Sequence, residues 1–219
     1  MSKYEKYFAQ GWGAMYPPEE LIRFVKSASK FSNLKIINSS VLDVGCGIGG
    51  CLWYLCKNFK HVTGIDFSKS ALKRVPIVAN YCGKKKNKFD LALMNFENFD
   101  IKNNYDFIVD NRSLYNQSFQ NFINSYKYIK TKLKRDGLIY TSFFGKKSSF
   151  FKNSIKLSPN EAIVKKGKLK IGGTQVFVNS KMMNKIFNKI GLRVCNYENI
   201  IINRENTIYE HHIYYLKNN

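Results

Sequence analysis

The run Val41-Leu42-Asp43-Val44-Gly45-Cys46-Gly47-Ile48-Gly49-Gly50 carries the chain's most specific chemistry. A short apolar stretch enters a cluster of glycines, and a helix-like stretch, Gly50 to Asn58, follows. Glycines let the backbone turn sharply and approach a ligand, while a helix N-terminus offers free N–H groups. Such a turn suits a nucleotide-like ligand at the carboxyl edge of a sheet. Gly45, Gly47 and Gly50 also satisfy G-x-G-x-x-G, so a dinucleotide enzyme is an alternative. Asp43 discriminates between them. A carboxylate two residues before the first glycine would repel a pyrophosphate but can help anchor the ammonium of a cationic amino-acid moiety.

The elements that must position this loop alternate. A helix is expected from about Pro18 to Phe31, since proline is tolerated in a first turn and Glu19 and Glu20 suit the positive end. Strands are expected at Val41–Val44, His61–Ile65 (stopped by Asp66), Phe89–Met94, Tyr105–Val109 (ending at Asp110) and Leu138–Phe144. Helices are expected at Gly50–Asn58, from a Ser68 cap to about Cys82, and from about Gln117 to Lys134. Pro76 should kink or shorten the second of these. Strands spaced by helices argue for βαβ crossovers, and unalternated runs such as FIV fit buried parallel strands. The stretch 145–178 reads as an insertion of loop character. A helix capped by Asn179 or Ser180 follows, then strands Leu192–Ile202 and Thr207–Leu216 with a hairpin turn through Asn203–Asn206. That ending replaces the second mononucleotide-binding half of a dinucleotide enzyme.

The 219 residues read as one α/β domain, residues 1–219, large enough for a sizeable core. The formal net charge of +21 suggests an acidic partner, but 30 of the 36 basic residues are lysine and only 6 arginine. Arginine is the residue of bidentate phosphate and base contacts, so charge alone argues only weakly for nucleic acid. The five cysteines form no CxxC pair, and with three histidines no metal-ligand spacing exists. No signal peptide and no apolar stretch of about 20 residues is present, and a cytoplasmic protein with reduced thiols is expected.

Asp43-Val44-Gly45-Cys46-Gly47-Ile48-Gly49 resembles motif I of class I S-adenosylmethionine-dependent methyltransferases. The resemblance extends over the element order from about residue 35 to 216. It implies a Rossmann-like seven-stranded sheet, mostly parallel with an antiparallel C-terminal hairpin strand and helices on both faces. S-adenosylmethionine is then the cofactor, with Asp43, Gly45, Cys46, Gly47 and Gly49 around it. Asp66 matches the family's acceptor of both ribose hydroxyls, with capping of the next helix as its simpler role. Phe67 would flank the adenine. Asn95, Phe96 and Glu97 fall where the family binds the adenine amino group, though Asn95 stands where Asp is usual. Asp110 would hold the methionine ammonium or cap a turn. Arg112 and Tyr115, in the loop after the fourth strand, are candidates for substrate contact, Arg112 as a clamp for an anionic group.

A second, narrower resemblance covers Gly11-Trp12-Gly13-Ala14-Met15-Tyr16-Pro17-Pro18-Glu19 with Arg23-Phe24. It is similar to a segment of small bacterial methyltransferases of surface-polysaccharide (capsule) clusters. It implies that residues 1–34 form a helical lid or substrate segment, with Tyr16, Glu19 and Arg23 near the substrate. Glu19 and Arg23 are also spaced for an ordinary i,i+4 ion pair. The expected reaction is O-methylation of a small phosphate- or phosphoramidate-bearing capsule precursor. Tyr16, Tyr115 and His211 are the candidate catalytic groups, and no base is unmistakable. An RNA methyltransferase using the basic surface is the alternative. Asp110-Asn111-Arg112-Ser113 lacks the Asn/Asp-Pro-Pro-aromatic signature of many nucleic-acid N-methylating enzymes, and a non-enzymatic cofactor-binding scaffold is a third reading.

Overall fold

The computed structural model describes residues 3–82, 89–96, 100–165, 170 and 173–219. Five strands run parallel: β1 Ser40–Val44, β2 His61–Asp66, β3 Asp90–Leu93, β4 Tyr105–Asn111 and β5 Leu133–Phe144. The last two elements, called β9 Leu192–Arg204 and β10 Thr207–Asn218, form a long hairpin whose second strand inserts antiparallel beside β5. The sheet order is β3-β2-β1-β4-β5-β10-β9. After β1 the chain moves outward to β2 and β3, then returns to place β4 on β1's other side. The carboxyl ends of β1 and β4 therefore border a topological switch point, where open α/β sheets bind ligands.

Helices cover both faces. On one, α2 (Glu19–Ser27) and α3 (Leu52–Asn58) bury Leu21, Phe24, Leu52 and Leu55 against Val41, Phe107 and Tyr140. On the other, α5 (Phe119–Thr131) and α7 (Ser180–Lys189) bury Phe122, Tyr126, Met183 and Phe187 against Leu42, Ile108, Ile139 and Tyr214. The alternation of these sheet residues is the pleat itself, since successive side chains point to opposite faces. Three helices are started by side-chain caps: Ser68 on Ala71 N–H for α4 (Lys69–Tyr81), Ser118 on Asn121 N–H for α5, and Asn179 on Met182 N–H for α7. α4 continues past Pro76 to Tyr81, so the proline does not shorten it.

α2 is shorter than expected, since Ala28–Lys30 tighten into a 3-10 turn. β5 begins at Leu133, five residues before the expected strand start, through an irregular stretch in which Asp136 takes φ 63°. The stretch 145–178 is more ordered than its loop-like composition suggests. It holds a short helix α6 (Ser149–Lys152) and an antiparallel three-stranded sheet of β6 (Ile155–Ser158), β7 (Glu161–Ile163) and β8 (Thr174–Val176). A helix α1 (Lys3–Ala9), not delimited from the sequence within the helical segment expected over residues 1–34, packs on α4.

Candidate active site

The glycine loop leaves β1 at the switch point. Gly45 and Gly47 adopt φ 70° and 54°, where a side chain is strained. A Cβ at Gly45 would collide with Ser113 Oγ and Phe96, which close over the loop. The amides of Gly45 and Cys46 both donate to Ile65 O, at 2.8 and 2.9 Å, tying the loop to the end of β2.

Asp66 stands at that strand end, 4% exposed. Its Oδ2 accepts from Gly47 N–H and its Oδ1 from Ser68 N–H, both at 2.8 Å. A carboxylate has about four acceptor positions, so these bonds orient it and leave about one on each oxygen. Burial raises its pKa, opposed by the two backbone donors and the Phe67 amide. Asp43 is buried on the α3 side of β1 beneath the loop, and its Oδ2 has no hydrogen-bond partner. Burial, then the charges of Asp66 and Asp110, push its pKa up to about 8. Cys46 and Cys51 lie close by, their thiols raised by burial and by Asp43.

Asp110 differs from both. Its Oδ1 accepts from Ser113 N–H (3.1 Å) and Leu114 N–H (3.0 Å), and its Oδ2 from Tyr126 OH (2.6 Å) and Thr141 Oγ1 (2.9 Å). All four acceptor positions are filled, so it braces the loop after β4 against α5 and β5. Arg112, within that loop, is held at φ 57° with its N–H bonded to Ser142 O at 3.0 Å. A non-glycine residue in this region is uncommon and marks stored strain. Arg112 is half-buried and, among the described residues, makes no ion pair. Tyr115, Tyr140 and His211 lie near enough to feel its charge. His211 packs against the Phe144 ring at 4.7 Å, and burial, Arg112 and His212 lower its pKa to about 4. The neighbouring His212 points to the opposite face, where Tyr197 OH meets its Nδ1 at 2.8 Å.

The N-terminal helix roofs this edge. Glu5 accepts from Ser68 Oγ, Ser70 Oγ and Ser70 N–H, joining α1 to the start of α4. Tyr4 OH donates to Asn116 Oδ1 at 2.9 Å, and its ring meets Phe67 edge-on at 5.9 Å. Phe8 faces Gly47. Phe67 and Phe96 meet edge-on at 6.3 Å. Tyr4, Glu5, Phe8, Ser113 and Asn116 were not singled out from the sequence. The i,i+4 aromatics Tyr4 and Phe8 were the available signal, on a helix of only 7 residues.

The structure thus gathers Asp43, Gly45, Cys46, Gly47, Gly49, Asp66, Phe67, Asn95, Phe96, Asp110, Arg112, Tyr115 and His211 along one sheet edge. Glu97 lies outside the described residues. Glu19 and Arg23 are placed elsewhere. Arg23 bonds Glu19 and Glu198, each at 2.6 Å, fastening α2 to β9. That strand is four places from β1, about 19 Å at the usual strand spacing. Tyr16 is 62% exposed and stands edge-on to Trp53 of α3, while the segment before it crosses the loop through Trp53 Nε1 donating to Met15 O. A surface groove of about 810 Å³ between α5 and α7 is remote from the glycine loop.

The site's charge decides between its two possible ligands. Three acidic side chains, Asp43, Asp66 and Asp110, converge at the ends of β1, β2 and β4 in a chain of net charge +21, and a cation bound among them would favour ionisation of Asp43. A pyrophosphate would be repelled there, whereas a ligand carrying a sulfonium and an ammonium is favoured. Residues 37–192 match the family model described as "Methyltransferase domain". The chain belongs to this methyltransferase family. A segment of 67 residues is 43% identical to phosphoethanolamine N-methyltransferase 1 of Arabidopsis thaliana, covering 30% of this chain and 13% of that protein. The match therefore spans about an eighth of the curated relative.

Solved structures show the same fold. An S-adenosylmethionine-dependent methyltransferase from Clostridium acetobutylicum superposes with a TM-score of 0.67 at 16% identity, covering 98% of this chain and 95% of that one. The 1,6-didemethyltoxoflavin-N1-methyltransferase of Burkholderia thailandensis, solved with S-adenosylhomocysteine, gives 0.66 at 14% identity, covering 94% and 78%. S-adenosylmethionine, the cofactor named in the first of these structures, supplies an electrophilic methyl group on sulfur. The residues present fit that cofactor: Asp66 retains acceptor capacity for two hydroxyls, and Asp43 holds a buried, unpartnered carboxyl oxygen. Among the described residues no helix is long and apolar enough to cross a membrane, and no group of His, Cys, Asp and Glu could hold a metal.

Proposed function

We propose that this methyltransferase transfers the methyl group to an oxygen of a small acceptor bearing a phosphate or phosphoramidate, such as a surface-polysaccharide precursor. Arg112 carries the reading. A half-buried guanidinium in a strained backbone conformation, without an ion pair among the described residues, is what an acceptor's anionic group would complete. Tyr115 and His211 lie near enough to feel its charge. At neutral pH a histidine titrating near 4 is uncharged and a weak base. Such a group suits an anionic oxygen, which needs no proton removed, better than a neutral alcohol. The name of the plant relative, a phosphoethanolamine N-methyltransferase, shares the phosphate-bearing acceptor but names nitrogen, not oxygen, as the atom that takes the methyl group. Asp66 would take the ribose, Phe67 and Phe96 the adenine, and Asp43 the ammonium. Asp110 would position the Arg112 loop, and residues 3–16 would act as the lid. Net charge alone supports the RNA reading, and with 30 lysines to 6 arginines it offers few bidentate base contacts.

The test is methyl transfer to matched pairs of sugars with and without a phosphate. Methylation confined to the phosphorylated members is expected, with Arg112→Met raising KM at least tenfold and leaving S-adenosylhomocysteine affinity unchanged. Equal transfer to both members contradicts the reading.

A further inference from the structure

Beyond the cleft, the far corner of the same sheet edge presents an unusual surface. β5 ends at Phe144, which pairs with His211, so the β9–β10 hairpin rises past it by residues 207–210 and their partners. α6 leans on this projection: Ile208 N–H donates to Ser149 Oγ at 2.9 Å, and Phe150 meets Tyr209 edge-on at 5.1 Å. β6 follows two residues after α6. The hairpin, α6 and β6 therefore form one continuous outcrop.

Its apolar tips face solvent. Ile155, Leu157 and Ile201 are 42%, 51% and 53% exposed. Exposed lysines flank Ile155: Lys152 precedes it by three residues, and Lys165 follows Ile163, its partner across the strands. Arg204 is exposed at the hairpin end. The described residues of 145–173 include six lysines against one acidic residue, Glu161, whose carboxylate accepts from Phe119 N–H at 2.5 Å.

We propose that this outcrop docks on an anionic lipid bilayer, with Ile155 and Leu157 entering the headgroup region and the lysines facing lipid phosphates. Aliphatic tips among lysines are the composition of a peripheral membrane contact. An RNA surface would instead present open stacking aromatics and several arginines, whereas here Phe150 and Tyr209 are half-buried against each other and Arg204 is the arginine at the hairpin end; a second copy of so basic a patch would be repelled. The inference is independent of the acceptor proposed above.

Sedimentation of the full chain with phosphatidylcholine vesicles, with and without phosphatidylglycerol, tests it. Binding is expected only to the anionic vesicles and should fade as salt is raised. Lys152→Gln with Lys165→Gln should weaken it roughly 25-fold, at roughly fivefold per lysine. Ile155→Ser with Leu157→Ser should also release the protein. Both variants should keep wild-type affinity for S-adenosylhomocysteine, which shows that they fold and separates this test from the methyltransferase reading. Failure to bind anionic vesicles, equal binding to neutral ones, or indifference to either variant overturns the proposal. So does a preference for polyuridylate that the lysine pair abolishes and the apolar pair leaves intact.

Discussion

Two aspartates in similar burial have opposite prospects because of what their oxygens already hold. Asp110 is saturated, while Asp66 spends one acceptor position per oxygen on Gly47 and Ser68 N–H. Replacing Asp66 by Ala removes the ribose acceptor and also frees those two amides. Calorimetry should show S-adenosylhomocysteine affinity lowered by about 10- to 100-fold, from charge-assisted bonds of about 1.5–3 kcal/mol. Unchanged affinity would remove Asp66 from the site. Asp43 gives a pH signature. Its carboxyl titrates near 8 in the folded chain against an ordinary 3.8. Between those values the folded state keeps a proton that the unfolded state has released, so this group's contribution to stability is lost as pH rises from about 4 to about 8. Asp43→Asn should flatten that slope, read by urea unfolding at several pH values. An unchanged slope would mean that Asp43 ionises normally. Arg112 tests strain: Arg112→Gly should hold or raise Tm while losing turnover, because glycine accepts φ 57° without penalty. A fall in Tm would show that the loop is not strained there.

At the scale of elements, the lid and the hairpin make separate claims. α1 is too short to be stable alone and is held to the body by Glu5 and Tyr4. Glu5→Ala should speed release of S-adenosylhomocysteine in stopped flow, with the central fold intact. An unaltered release rate would mean that α1 does not gate the site. The hairpin turn places Glu205 and Asn206 at φ 48° and 63°, the left-handed pair of a type I′ turn. Glu205→Asn with Asn206→Gly should stabilise by about 1 kcal/mol, or about 2–4 °C in Tm. These elements also show what the sequence could reveal. β1, the glycine loop, β2 and the α4 cap were readable because apolar runs, glycines and Ser68 act locally. α1 was not, because its helix depends on Ser68, Ser70 and Asn116, 63 to 112 residues away. The 145–178 segment read as loop because β6, β7 and β8 are only 3 or 4 residues each. Glu19 and Arg23 were read toward the substrate, yet their second carboxylate, Glu198, lies 175 residues from Arg23 and only the fold reveals it. Tyr115 and His211 were legible as candidates, but their nearness to Arg112 required the sheet order.

For the whole molecule, the net charge of +21 surrounds a site that is itself acidic. The cofactor and any polyanion should therefore respond differently to salt. RNA association should be weak and lost steeply with ionic strength, while cofactor affinity at the buried site should change little. Calorimetric titration with S-adenosylhomocysteine, with NAD in parallel, tests the central claim most directly. Run near pH 7 in buffers of different ionisation enthalpy, it should show one molecule of S-adenosylhomocysteine bound, a proton released as Asp43 ionises beside the ligand's ammonium, and no heat from NAD. Binding of NAD with none of S-adenosylhomocysteine would mean that the glycine loop serves a dinucleotide and would contradict the account.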